Sequence, residues 1–205
     1  VFVLQAWARQ DQIADIRDLA GKLGIAACFE DVSDTDQPPT LLENPAQLAA
    51  GEDLVQFYQT PGYRDWDPSA IVYVSFILFF GMIMTDAGYG LLLLAVLFFY
   101  RKRFSGSASG RRMFKMAAWL MVSTAAFGVA TGSYFGISPP EGSWLAKLKF
   151  MQLDDVDTMM KITLTIGVIH ITLANLMRVG HATNTSERAQ PVGWSLVALG
   201  GLATF

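Results

Sequence analysis

Long apolar stretches separated by short charged turns fill the last two thirds of the chain. Between Ile71 and Tyr100 the only charged residue is Asp86. Between Met113 and Ile137 it is Lys115, between Thr158 and Met177 it is Lys161, and from Ala189 to Phe205 there is none. Apolar runs of about 18 or more residues with few charges read as membrane spans. The pattern therefore predicts spans over 113–137 and 158–178, and the incomplete beginning of another over 191–205. The run from Ile71 to Tyr100 is unusual. As one straight helix it would reach roughly 45 Å, more than the roughly 20 residues one span needs. Gly81, Asp86, Gly88 and Gly90 sit in its middle, where an uninterrupted span should be most apolar. Two short helices over 70–100, hinged near Asp86, satisfy both observations.

The first part of the chain has a different rhythm. Val1 to Trp7 reads as a buried strand. Asp11 to Leu23 reads as a helix with Ile13, Ile16, Leu19, Ala20 and Leu23 on one face, stopped by Gly24. Ile25 to Val32 reads as a second strand. Ser33 to Pro39 is a polar loop. Asn44 is placed to cap a helix from Pro45 to Tyr58 that carries Leu48, Leu54, Val55 and Tyr58. Thr60 to Pro68 is irregular. The expected division is residues 1–60, the end of a cytoplasmic α/β arm with its linker, and residues 61–205, the N-terminal part of a transmembrane domain. The expected fold class is mainly α: a polytopic transmembrane helix bundle preceded by the end of a small soluble α/β lobe.

Composition agrees with that division. Of 205 residues 52% are hydrophobic and 16% charged, against roughly 25% charged in soluble domains. The first 70 residues hold twelve acidic and four basic side chains, so the net charge of −3 averages an acidic head and a basic-flanked membrane part. It does not indicate nucleic-acid binding. The single Cys28 forms no internal disulfide and, in its apolar run, reads as a small buried residue. No cleavable signal peptide is visible. The start at Val1 without methionine and the stop at Phe205 within an apolar run suggest a piece of a longer chain.

Charge placement sets the expected topology. Arg101, Lys102, Arg103, Arg111, Arg112 and Lys115 form a short basic turn, which belongs in the cytoplasm. With a cytoplasmic head, the 71–100 run must then cross an even number of times, as a hairpin does. Ser138 to Asp157, with Glu141, Asp154, Asp155 and Asp157 against two lysines, suits the outer side. Arg178 and Arg188 flank a cytoplasmic return.

Several motifs in order resemble one family. Pro38 to Pro45 looks like a proline-rich approach to its membrane domain, followed by Pro61-Gly62-Tyr63 and Asp67-Pro68-Ser69. Phe79, Phe80, Gly81 and Met82, then Asp86, Ala87, Gly88, Tyr89 and Gly90, resemble its most specific signature. Phe127 to Gly136 and Ile166 to Ile171 resemble its next two span motifs, and Gln5-Ala6-Trp7 the strand ending its cytoplasmic arm. The family is that of the membrane stator subunit of V-type ATPases, subunit a or subunit I. Thr85 stands where this family usually has glycine, and Asn175 where it commonly has a small residue. The resemblance implies a non-catalytic multi-pass subunit, N-terminal part cytoplasmic, in a bacterial or archaeal plasma membrane or a eukaryotic endomembrane. It would support proton or sodium translocation against a rotating ring of small membrane subunits. It would also be linked to the peripheral stalk and to subunits of the central stalk. No cofactor and no metal are implied. The ring-facing arginines of the family lie on later spans and outside this sequence.

Three polar residues inside the apolar runs are candidates for an ion path or for structure. Asp86 is either a group in a water-filled access path or a polar hinge plug, bonded to backbone freed by Gly81 and Gly88 or lying at the interface at the hairpin tip. His170 is either a titrating group or, with no neighbouring carboxylate, a buried interhelical hydrogen-bonding group. Asn175 shares its span. Gly128, Gly132 and Gly136 form either a dimerisation face or an intrachain packing stripe. Arg101 to Arg112 is either an anionic-lipid site or a topology signal. Trp119, Trp144 and Trp194 suit interfacial anchors and packing equally. An independent secondary transporter with broken helices is the rival class, although no internal repeat supports it. A membrane-anchored enzyme is the third. The chain has no phosphate-binding loop, paired metal-ligand motif or nucleophile triad.

Overall fold

The computed structural model describes residues 2–33, 35–151, 156–182 and 184–204. Among these the chain is mainly helical and forms no strand; Tyr134 and Ile137 make an isolated bridge. A single turn at Gln10–Gln12 leads into α1 (Ile13–Leu23), which Gly24 ends in the left-handed conformation at φ 64°. Residues 2–7 and 25–32, the described parts of the two expected strands, are irregular. A strand persists when its backbone groups find a ladder partner, and these two segments do not pair with each other. No sheet covers this region, so Leu19, Leu23 and Cys28 are exposed rather than buried.

Helix α2 (Ala49–Tyr58) starts later than expected, after a turn in which Leu48 and Ala49 donate to the Pro45 carbonyl. Asn44 does not cap it. Its side-chain amide donates to Asp67 Oδ2 at 2.5 Å, and Asp67 Oδ1 accepts the Ser69 N–H at 2.9 Å. Asn44 therefore ties the linker to the start of the next helix.

The apolar part comprises α3 (Ser69–Met84), α4 (Ala87–Phe99), the single turn α5 (Arg101–Phe104), α6 (Ala108–Thr131), α7 (Val156–His181) and α8 (Thr185–Ala203). Helices α6 and α7, of 24 and 26 residues, are long and apolar enough to cross a membrane. The apolar α3 and α4 are shorter, with 16 and 13 residues. The long run is thus divided at Thr85 and Asp86.

Close approaches fix how these helices run. Gly81 of α3 lies on Ser123, and Gly90 of α4 lies on the backbone of Ala125. Phe98 near the end of α4 meets Phe114 near the start of α6, edge to face at 5.4 Å. Helix α3 therefore runs parallel to α6 and α4 antiparallel to it, with α6 flanked by the two arms of a hairpin. At the head end, the Arg112 guanidinium reaches Glu52 of α2 at 3.0 Å. Helix α7 returns beside α3: His170 meets Ser75 and Phe79, and His181 stacks on Trp66. The basic turn, α2 and the junction of α7 with α8 consequently share one end of the molecule, and the Asp86 hinge lies at the other.

Helix α6 is offset from the expected 113–137, beginning at Ala108 and ending at Thr131. Gly132, at φ 74°, turns the chain, and Ser133 donates back to the Gly128 carbonyl at 2.9 Å. This is a Schellman-type stop. Its polar Thr124 and Thr131 bond the carbonyls of Leu120 and Phe127, both at 2.9 Å, which is how hydroxyls stay satisfied in an apolar helix. Of the expected acidic outer loop, Asp154 and Asp155 lie outside the described residues, and Asp157 falls in the first turn of α7. Trp119, Trp144 and Trp194 are all exposed.

Candidate functional site: the Asp86 hinge

Met84 ends α3 because Thr85 turns left-handed, at φ 36°. Asp86 follows in extended conformation and caps α4, its Oδ1 accepting the Tyr89 N–H at 2.9 Å. A carboxylate at a helix N-terminus also faces the positive end of the helix dipole. Oδ1 accepts a second N–H, from Phe135 at 2.9 Å. Oδ2 accepts the Gly136 N–H at 2.7 Å and the Ser133 hydroxyl at 3.0 Å. The backbone repeats the connection, with the Ala87 N–H donating to the Ser133 carbonyl at 2.8 Å. Asp86 is only 6% exposed.

Close packing completes the site. At Gly128 a Cβ would collide with the backbone of Asp86 and Ala87, so only glycine lets α6 meet the hinge. The Phe135 ring occupies the space a side chain at Gly88 would need and meets the Tyr89 ring edge-on at 5.1 Å. Phe135 itself is left-handed, at φ 54°, a conformation that costs roughly 1–3 kcal/mol outside glycine. Its N–H bond to Asp86 and its ring contacts hold it there. The segments 81–90 and 127–136, noted separately in the sequence, are two halves of one latch.

The partners of Asp86 are the turn after α6 and its own helix N-terminus, not backbone freed at Gly81 or Gly88. Gly128 is an intrachain contact, while Gly132 and Gly136 lie beyond the helix in left-handed turns. The expected four-residue stripe therefore does not form as a helix face. His170 is half-buried on α7; its Nδ1 lies 3.1 Å from the Ser75 hydroxyl and its ring meets Phe79 edge-on at 5.3 Å. Asn175 is half-buried further along α7. Among the described residues the Asp86 carboxylate bonds Tyr89, Ser133, Phe135 and Gly136, and neither His170 nor Asn175. Among the described residues no three His, Cys, Asp or Glu side chains converge as a metal site would require.

The sequence did not point to Ser133, Phe135 and Gly136 as partners of Asp86, a role they fill mainly through backbone N–H groups. The available signal was the glycine pair Gly132 and Gly136, which interrupts the apolar run. Glu52 was missed too. It is 5% exposed and accepts both the Asn44 N–H and the Arg112 guanidinium.

Thr85 offers a test of the hinge backbone. A β-branched residue at φ 36° is a true outlier, and left-handed conformation costs an ordinary residue about 1–2 kcal/mol. Its hydroxyl offsets part of this by bonding the Met82 and Gly81 carbonyls. Thr85→Gly is therefore expected to stabilise the full-length protein by up to about 1 kcal/mol, raising its thermal unfolding midpoint in detergent. A lowered midpoint would mean that the hydroxyl bonds outweigh the backbone strain.

No protein-family model matches the chain. Among curated proteins it is 41% identical over 142 residues to the V-type ATP synthase subunit I of Chlamydia pneumoniae, which is 67% of this chain and 22% of that protein. It is 29% identical over 140 residues to the A-type ATP synthase subunit I of Methanocaldococcus jannaschii, 66% of this chain and 20% of that protein. With the A-type ATP synthase subunit I of Pyrococcus horikoshii it shares 26% identity over 209 residues, 97% of this chain and 32% of that protein. The chain thus spans between about a fifth and a third of the length of these relatives. It belongs to the subunit I family of V-type and A-type ATP synthases.

Proposed function

We infer that this chain is the first part of the membrane domain of a rotary ATPase stator subunit, with the end of its cytoplasmic arm attached. The observation that carries the reading is the 41% identity over 142 residues to a V-type ATP synthase subunit I. In this role the subunit is non-catalytic, and ATP is hydrolysed or made on other subunits. Its cytoplasmic arm connects to the peripheral stalk. Its polytopic bundle lies beside the rotating ring and supports proton or sodium movement there. Partners are the ring, the stalk subunits and membrane lipid.

Within that reading Asp86 is a structural latch. A carboxylate offers about four acceptor directions, and four donors engage this one. None is left for receiving and passing on a proton. His170 serves as an interhelical contact between α7 and α3. The proposed topology places α2, the basic turn and the α7–α8 junction in the cytoplasm and the hinge at the outer surface. The Arg112–Glu52 contact supports it by joining the basic turn to the head.

Cysteine labelling tests the topology. In sealed vesicles of known orientation, a full-length cysteine-free protein carrying Ser107→Cys should react with an impermeant maleimide only from the cytoplasmic side. Reaction only from the outer side would eliminate the hairpin topology. Subunit identity is tested by purifying the full-length protein and identifying the chains that accompany it. Ring and stalk subunits are expected, and their absence would refute the assignment.

A further inference from the structure

The geometry points to a binding site for an anionic phospholipid in the groove between α4 and α6, with its headgroup held at Arg103. The groove has a volume of about 370 Å³ and is walled by Leu93, Val96, Leu97, Ala117 and Met121. From Leu93 to Tyr100 it extends about 10 Å along α4. Its walls are apolar throughout, and the aliphatic stem of the exposed Arg103 lines one end, which leaves the guanidinium free to sit just beyond the mouth. An apolar slot with a cation beside its mouth complements the upper half of one acyl chain and the phosphate above it.

The surroundings favour a negative headgroup. The turn carries five cations between Arg101 and Arg112, with no acidic residue between them. Two are engaged within the protein: Arg112 pairs with Glu52 and Asp53, and Arg111 donates to the Ser105 carbonyl at 3.1 Å. Arg101, Lys102 and Arg103 are exposed and make no ion pair among the described residues. The turn is also held in place. Phe104 lies 6.1 Å from Phe114, which Phe98 meets edge-on, and the Arg103 N–H donates to Tyr100. The cation at the mouth of the groove therefore stands on a fixed support, whereas a purely topological signal requires only charge. A phosphodiester satisfies these three cations while its chain fills the slot.

The inference presupposes the bilayer placement of α4 and α6, which the Ser107 labelling tests separately. Its own test uses the full-length subunit in nanodiscs with phosphatidylglycerol or phosphatidylcholine probes that carry a photoactivatable acyl chain. Crosslinks are mapped by mass spectrometry. The phosphatidylglycerol probe should label the peptides holding Leu93 to Leu97 and Ala117 to Met121 at least fivefold more than the phosphatidylcholine probe. Arg103→Gln should remove about fivefold of that preference, the worth of one surface cation near anionic lipid. Arg103→Lys should keep most of it. Unlabelled phosphatidylglycerol should compete on the unsubstituted protein where phosphatidylcholine does not, a readout that needs no variant to fold. Equal labelling by the two probes would overturn the proposal. So would a preference unchanged in Arg103→Gln, or a groove that no lipid probe reaches because a protein segment fills it.

Discussion

Alanine in place of Asp86 is expected to destabilise the hinge by about 3–5 kcal/mol. A donor left without an acceptor costs up to about 1–3 kcal/mol, three backbone N–H groups lose theirs at once, and water offsets part of the loss because Tyr89 and Phe135 are half exposed. The Ser133 hydroxyl can rotate to a new partner, and the loss of a helix cap is already counted in the Tyr89 N–H. Asparagine should cost roughly half as much. Its carbonyl can still accept from Tyr89 and Phe135, but its amide would turn a donor toward the Gly136 N–H. Thermal unfolding of the full-length subunit in detergent should rank the three proteins accordingly. In assembled complexes, Asp86→Asn should reduce ATP-driven ion pumping only partially. Complete loss of pumping in a fully assembled Asp86→Asn complex would instead assign an obligatory charge to this position, and the access-path reading would replace the latch.

At the opposite end, Arg112→Ala is expected to cost about 2–3 kcal/mol. Removing one partner of a buried ion pair costs about 3–5 kcal/mol, and the figure is lowered here because the Arg112 side chain is 38% exposed. Glu52 remains the buried member, left with only the Asn44 N–H. Glu52→Ala should be comparably harmful because it strands that N–H as well as the guanidinium. The double variant should cost at least about 1 kcal/mol less than the sum of the two, since the residues share one interaction. Additive effects would show that the contact contributes nothing to holding the basic turn against α2. Arg112→Lys should preserve much of the stability, because Nη1 alone meets both Glu52 and Asp53 and one ammonium can take that place.

Much of the helical layout was legible because its causes are local. Gly24 stops α1 through its own backbone freedom, and the glycines and charge around Asp86 announce the division of one long run into α3 and α4. The end of α6 was misjudged by six residues. Hydropathy does not distinguish an apolar helix from an apolar turn, and Phe135 and Ile137 continue the apolar pattern past Gly132. The partners of Asp86 were illegible for a different reason. They are backbone N–H groups, which every residue but proline carries, brought close by the length of α6. Glu52 was one acid among twelve until packing placed it against Arg112. The expected strands depended on nonlocal pairing, which residues 2–7 and 25–32 do not supply to each other.

The order of the latch along the chain has a consequence for biogenesis. Asp86 precedes Ser133, Phe135 and Gly136 by 47 to 50 residues. At about 5–20 residues per second, a ribosome needs roughly 2–10 s to supply them after Asp86 is made. On the proposed topology, the hairpin tip crosses the bilayer during that interval with its carboxylate still served by water. Translocation of α3 and α4 is then provisional until α6 has followed and delivered its turn to the outer surface. A nascent chain arrested before Ser133 should retain a reversible hairpin, and one arrested well beyond Gly136 a committed one.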